Sequence, residues 1–211
     1  MSEPRQRRVP PEPVILVHGY LSPKRFLLPL KWRLERRGFD AHLVDLSPLA
    51  IRDVRVLAKQ LAVSVERVLH RTGAERCILV GVSLGGFVAL CYVKEFGGAD
   101  RVRRLVAMGA PFQGTWFALA GVPVFGAVSR GVWQSLPTSS LLSDLRAGGS
   151  PVPVTSMVIP GDVVAPPHRC TLEGAEVVTL DRTWFPAVHQ WLVISGKITE
   201  RLADLLMEEE G

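Results

Sequence analysis

Short apolar runs alternate along the chain with longer stretches in which apolar residues recur every three or four positions, and the two patterns predict different elements. The mainly apolar runs at residues 13–17, 41–44, 77–80, 102–108, 154–159 and 176–180 have the length and character of strands buried on both faces of a parallel sheet. Between them, residues 51–71 place Val54, Leu57, Ala58, Leu61, Val65, Val68 and Leu69 at helical spacing, so that helix has one apolar face. Further helices are predicted over residues 26–37, stopped by Gly38, and 84–96, stopped by Gly97 and Gly98. A last one covers 193–207, with Ile194, Ile198, Leu202, Leu205 and Leu206 facing inward. Strand and helix in alternation imply right-handed crossovers and a three-layer α/β/α sandwich on a six-stranded, mainly parallel sheet. Residues 1–12 read as a polar lead-in and 13–207 as one domain. Ligands of such sheets bind beyond the carboxyl ends of the strands, so chemistry is expected just after each one.

After the third run comes Gly81-Val82-Ser83-Leu84-Gly85-Gly86, a G-x-S-x-G sequence between a strand and a helix. In that setting a serine sits on a sharp turn with its hydroxyl exposed, and flanking glycines keep side chains out of the neighbouring elements. A serine hydroxyl needs a base within reach and an acid to hold the base. His189 follows the last strand and opens the final helical region, which makes it the candidate base ahead of His18, His42, His70 and His168. Pro160-Gly161-Asp162 follows the fifth strand in a turn that exposes a carboxylate; Asp162 is the favoured acid. Asp181, after the last strand, is the alternative should the strand assignment slip by one, and Asp144 lies in a helix before the strand concerned. Donors for an oxyanion are expected at the N–H of Leu84 and, from the first loop His18-Gly19-Tyr20-Leu21, at the N–H of Tyr20. His18 then anchors that loop.

These features, with Val14 to Gly19, the loop Gly109-Ala110-Pro111-Phe112-Gln113-Gly114-Thr115, Pro160-Gly161-Asp162 and His189, run in order over nearly the whole chain. The sequence resembles the small bacterial lipases and esterases of the α/β-hydrolase superfamily. The resemblance implies hydrolysis of acyl esters with no cofactor, through Ser83, Asp162 and His189. Val82 stands where many such lipases have histidine, and Val188 where glycine often precedes the base. The same triad would serve a thioesterase or an acyltransferase. A non-catalytic binding module on the fold is a third reading, against which the complete triad argues.

Composition narrows this picture in a few places. A chain of 211 residues, 47% hydrophobic, supports one core comfortably. The net charge of +5 draws on Arg5, Arg7, Arg8, Arg33, Arg36, Arg37, Arg101, Arg103 and Arg104. Placed at helix ends and loops without interleaved aromatics, these read as a solvated surface, so no nucleic-acid partner is expected. The odd cysteines Cys77, Cys91 and Cys170 predict no disulfide framework. No ligand cluster with metal spacing occurs, and neither a secretory leader nor a spanning segment is visible, so a cytoplasmic protein is expected. The apolar stretch from Trp116 to Val132 reads equally as a helix packed on the core and as part of a cap over residues 116–135, touching lipid surfaces transiently. On the cap reading Trp116, Phe117 and Phe125 contact substrate, with Val188 beside the base. The partner expected is a small acyl ester or lipid.

Overall fold

The computed structural model describes residues 12–46, 50–121, 123, 129–183 and 187–207. Its strands are β1 (Val14–Val17), β2 (Ala41–Val44), β3 (Cys77–Val82), β4 (Val102–Met108), β5 (Val154–Val158) and β6 (Glu176–Thr179). They form one sheet in the order β2-β1-β3-β4-β5-β6, and every pairing is parallel. The strand β3 runs past its apolar core because Gly81 and Val82 stay in register with Ala107 and Met108. At β6 the expectation of a strand buried on both faces is corrected. It is an edge strand whose Glu176, Val177 and Thr179 are exposed, and its apolar residues gave no sign of that position.

Helices cover both faces: α1 (Leu28–Arg36), α2 (Val54–Thr72), α3 (Leu84–Glu95), α4 (Arg130–Gln134), α5 (Ser140–Arg146), α6 (Val188–Ile194) and α7 (Gly196–Met207). The layer formed by α2, α3 and α5 closes one apolar cluster around Ile15, Leu79, Leu105 and Phe87. The opposite layer of α1, α6 and α7 closes the other around Leu16, Val80, Val106 and Leu202. The helix α3 is buried from Leu84 to Val93, which is why its sequence is apolar all round and not striped.

Two expectations about helices change. The stretch predicted as one helix over 193–207 is two, since Ser195 is extended (ψ 125°) and its hydroxyl accepts a hydrogen bond from the Ile198 N–H at 3.4 Å. A serine in that role starts a new helix. At α1 the separation of arginine from aromatic side chains fails, because the Arg36 guanidinium lies 4.7 Å from the centroid of the Trp32 ring. The stretch from Trp116 to Val132 becomes a 3-10 helix over Trp116–Gly121 and the start of α4, while Val124 and Phe125 lie outside the described residues.

The strand order places the site. From β1 the chain crosses to β2 on one side and returns to β3 on the other, so the loops leaving the carboxyl ends of β1 and β3 diverge and leave a crevice.

Candidate active site

At the end of β3 the backbone must reverse within one residue to enter α3, and that residue is Ser83, held at φ 54°, ψ −124°. A side-chain-bearing residue in this region is strained. Of the described non-glycine residues with positive φ, Leu21, Ala50 and Ser83, two border the same cavity. The turn is possible because the first turn of α3 lies directly on the end of β1. A Cβ at Gly85 would stand 2.3 Å from the Val17 carbonyl oxygen, an overlap that backbone cannot relieve.

Asp162 follows β5 in the turn predicted for it, but the expectation that this turn exposes the carboxylate is corrected, because the residue is almost fully buried against His189 and the backbone N–H groups that follow it. Its Oδ1 accepts hydrogen bonds from the N–H groups of Val164 (2.9 Å) and Ala165 (3.0 Å). Its Oδ2 lies 2.7 Å from Nδ1 of His189, on the first turn of α6. Burial alone would raise the Asp162 carboxyl. The hydrogen bond and charge of His189, with the N–H groups of Ala165 and Val164, outweigh it and hold the carboxyl below its ordinary value. Gly109, just after β4 at φ 57°, lies beneath the imidazole, where a Cβ would come 3.2 Å from His189 Cε1 and 2.4 Å from Leu192 Cδ1.

His18 is buried with both ring nitrogens engaged. Nε2 accepts from the Leu46 N–H at 3.0 Å, and Nδ1 lies 3.1 Å from the Gly19 carbonyl oxygen. Donation from Nδ1–H satisfies both contacts at once. Burial is the largest influence on this imidazole and lowers its pKa. The ring ties the loop after β1 to the loop after β2.

Ser83, Leu84, Tyr20 and His189 border one cavity of about 490 Å³. Its walls include Leu21, Phe26, Phe87, Phe117, Val132, Val164 and Val193, with Thr115, Ser135 and Gln190 as polar points. A larger, more open depression of about 690 Å³ beside Ala62, Glu66, Phe96 and Arg101 holds none of these groups. Of the residues expected near substrate, Phe117 borders the cavity. Trp116 is about half exposed, Val188 packs against the α1, α6 and α7 layer, and neither is among the cavity walls. Phe125 lies outside the described residues. Val132, the last residue of the stretch expected to form the cap, also borders the cavity, whereas Leu21, Phe26, Val164 and Val193 were not foreseen. The position of Leu21 just beyond β1 was a usable signal, whereas Val193 arrives through tertiary packing. Asp181 is exposed after the edge strand, and no hydrogen bond links it to His189 in the way that Asp162 is linked. Among the described residues no cluster of His, Cys, Asp and Glu suits a metal ion.

The sequence profile of the α/β-hydrolase fold family matches residues 12–137, more than half of the chain. The chain belongs to this family. Among solved structures, this α/β hydrolase is similar to a Bacillus licheniformis lipase in its mature form, with TM-score 0.78 and 16% identity over 94% of this chain and 92% of that one. It is also similar to Aspergillus fumigatus lipase B (TM-score 0.74, 16% identity, 94% and 53% of the two chains). An esterase from Exiguobacterium antarcticum superposes with TM-score 0.69 at 18% identity, over 93% and 92%. These likenesses are of fold. In sequence, 73 residues are 40% identical to homoserine O-acetyltransferase of Thermus thermophilus, a stretch that makes up 34% of this chain and 17% of that protein.

Proposed function

We propose that this α/β hydrolase cleaves carboxylic esters with apolar acyl groups through an acyl-enzyme on Ser83. The observation that carries the reading is the His189–Asp162 pair at 2.7 Å, with its imidazole on the same apolar cavity as a serine held in a strained turn. In this reading Ser83 Oγ attacks the ester carbonyl carbon while His189 takes its proton, and Asp162 fixes the imidazole tautomer and stabilises the charge it gains. The oxyanion is received by the N–H groups of Tyr20 and Leu84, the second at the N-terminus of α3 where the helix dipole favours negative charge. Collapse of the tetrahedral intermediate breaks the ester C–O bond as His189 returns the proton to the leaving alcohol. Water, deprotonated by His189, then attacks the acyl carbon and releases the acid, restoring Ser83. The aliphatic and aromatic walls of the cavity favour an apolar acyl chain.

A fluorophosphonate should label Ser83 alone, and Ser83→Ala should reduce turnover of a chromogenic ester by about 10⁶-fold while the melting temperature is retained. A folded alanine variant with undiminished turnover would refute the reading. Transfer to an alcohol in place of water is the second reading, favoured by the segment shared with the acetyltransferase. The two are separated by the ratio of ester product to free acid when an alcohol acceptor is added.

A further inference from the structure

The stretch from the 3-10 turn Lys24–Leu27 through α1 to Arg37 holds Lys24, Arg25, Lys31, Arg33, Arg36 and Arg37 against one acid, Glu35. Its net charge of +5 equals that of the whole chain. Lys24 is paired with Asp45 at 2.9 Å, and Lys31 with Glu35, whereas Arg25, Arg36 and Arg37 stand on the exposed surface. The helix turns Leu30 and Leu34 into the core. Its outer side presents Leu28, Trp32 and Arg36 at four-residue intervals, with Leu28 48% and Trp32 55% exposed. Burial of Leu30 and Leu34 accounts for the inner face of α1, whereas on the outer one Leu28 and Trp32 keep about half of their surface in water, Trp32 with the Arg36 guanidinium over its ring. The apolar strip continues through Phe26 and Leu21, which are partly exposed and also border the cavity holding Ser83 and His189.

Apolar side chains framed by arginines match the boundary of an anionic bilayer. Leucine and phenylalanine enter the acyl region, tryptophan sits at headgroup level, and guanidinium groups meet lipid phosphates. We propose that this outer face of the Lys24–Leu27 turn and α1 docks the protein on an anionic lipid surface, with the mouth of the cavity turned toward the bilayer. A nucleic acid would use the arginines and leave Leu28, Trp32 and Phe26 in water. A second copy of the chain would bring two strongly positive faces together. Continuity of the strip with the cavity mouth favours lipid over both.

The docking does not depend on ester hydrolysis, so it is read on Ser83→Ala protein by co-sedimentation with phosphatidylcholine vesicles, with and without about one-third phosphatidylglycerol. Binding is expected to the anionic vesicles alone and to weaken as salt rises. Arg25→Ala and Arg36→Ala should each lower partitioning about five-fold, and Trp32→Ala should lower it at unchanged charge, all with the parent melting temperature. Equal binding to neutral vesicles, or indifference to all three substitutions, overturns the proposal. So does binding of a DNA duplex that depends on the arginines and not on Trp32, with no binding to vesicles. Anionic-vesicle binding, together with no esterase activity in the parent protein with Ser83 intact, would retain the docking and reject the hydrolytic reading.

Discussion

At Asp162, burial and hydrogen bonding act in opposite directions on a single carboxyl, and the second prevails. With Oδ1 committed to two backbone N–H groups and Oδ2 to His189, each oxygen is an acceptor with no place for a hydrogen. An amide at this position puts an N–H₂ where an acceptor is required and turns the imidazole to the wrong tautomer. Asp162→Asn is therefore expected to lower kcat by about 10⁴-fold. Asp181→Asn, on the exposed side of the edge strand, should change kcat by less than about two-fold. Steady-state kinetics on one soluble ester decide between them, and a larger loss at Asp181 would show that the imidazole takes its acid from the other loop. Gly109 figures in the sequence as the start of the loop 109–115, but its place beneath the imidazole was not foreseen. Its role is to leave room beneath a ring, and a missing side chain leaves no chemical trace in a pattern of residue types.

The helices and loops around the cavity depend on one another through few but specific bonds, and the clearest join is between α2 and α4. Asp53 caps α2, its Oδ1 accepting from the Arg55 N–H at 2.9 Å, while its Oδ2 accepts from Gln134 Nε2 at 2.9 Å. Gln134 Oε1 in turn accepts from the Val54 N–H at 2.8 Å. The Thr115 N–H donates to the Ser135 carbonyl at 2.8 Å, so the two ends of the stretch from Trp116 to Gln134 are joined at its base. Asp53→Ala and Gln134→Ala should each destabilise by about 1 kcal/mol. Because both act through the same cap, the double variant should cost measurably less than the sum in urea unfolding; full additivity would mean that the two bonds are independent. Above that base Phe117 reaches the cavity, and Phe117→Ala should move the preference between short and long acyl chains more than it changes turnover of the smallest ester. An unchanged chain-length profile with an earlier melting transition would assign Phe117 to packing alone. The strands, the α2 pattern, the turn that carries Ser83 between β3 and α3 and the turn that carries Asp162 after β5 were legible in the sequence because each rests on a local rule of periodicity or turn chemistry. What was not legible depends on neighbours. The break at Ser195 reads as continuous apolar periodicity until its capping bond is seen, the edge position of β6 is set by the rest of the sheet, and the distance of Trp116 from the cavity follows from how its 3-10 helix is seated.

For the molecule as a whole, the loops after β1, β2, β3 and β5 and the start of α6 are assembled at one edge of the sheet, so two buried titratable groups at that edge link protonation to folding. His18 has its imidazole pKa lowered below the ordinary value of about 6.5, burial being the largest cause, partly offset by the Gly19 carbonyl and by Asp45. A histidine with a depressed folded-state pKa binds fewer protons when folded than when unfolded. Stability from it is therefore complete above about pH 6.5 and is lost as pH falls through the folded-state value. Asp162 is also depressed, and by the same sign its contribution is present above the ordinary carboxylate value of about 3.9 and is lost at still lower pH. Protonation of His18 adds a hydrogen where Nε2 accepts from the Leu46 N–H, so acid opposes the tie between the loops after β1 and β2. Unfolding free energies from urea titrations between about pH 8 and about pH 5 should fall with acidification in the parent protein. In His18→Asn they should start lower at neutral pH, because the Leu46 N–H loses its acceptor, and fall less steeply, because the titrating group is gone. Parallel slopes in the two proteins would show that other groups carry the acid sensitivity and that His18 anchors its loop without linking it to pH.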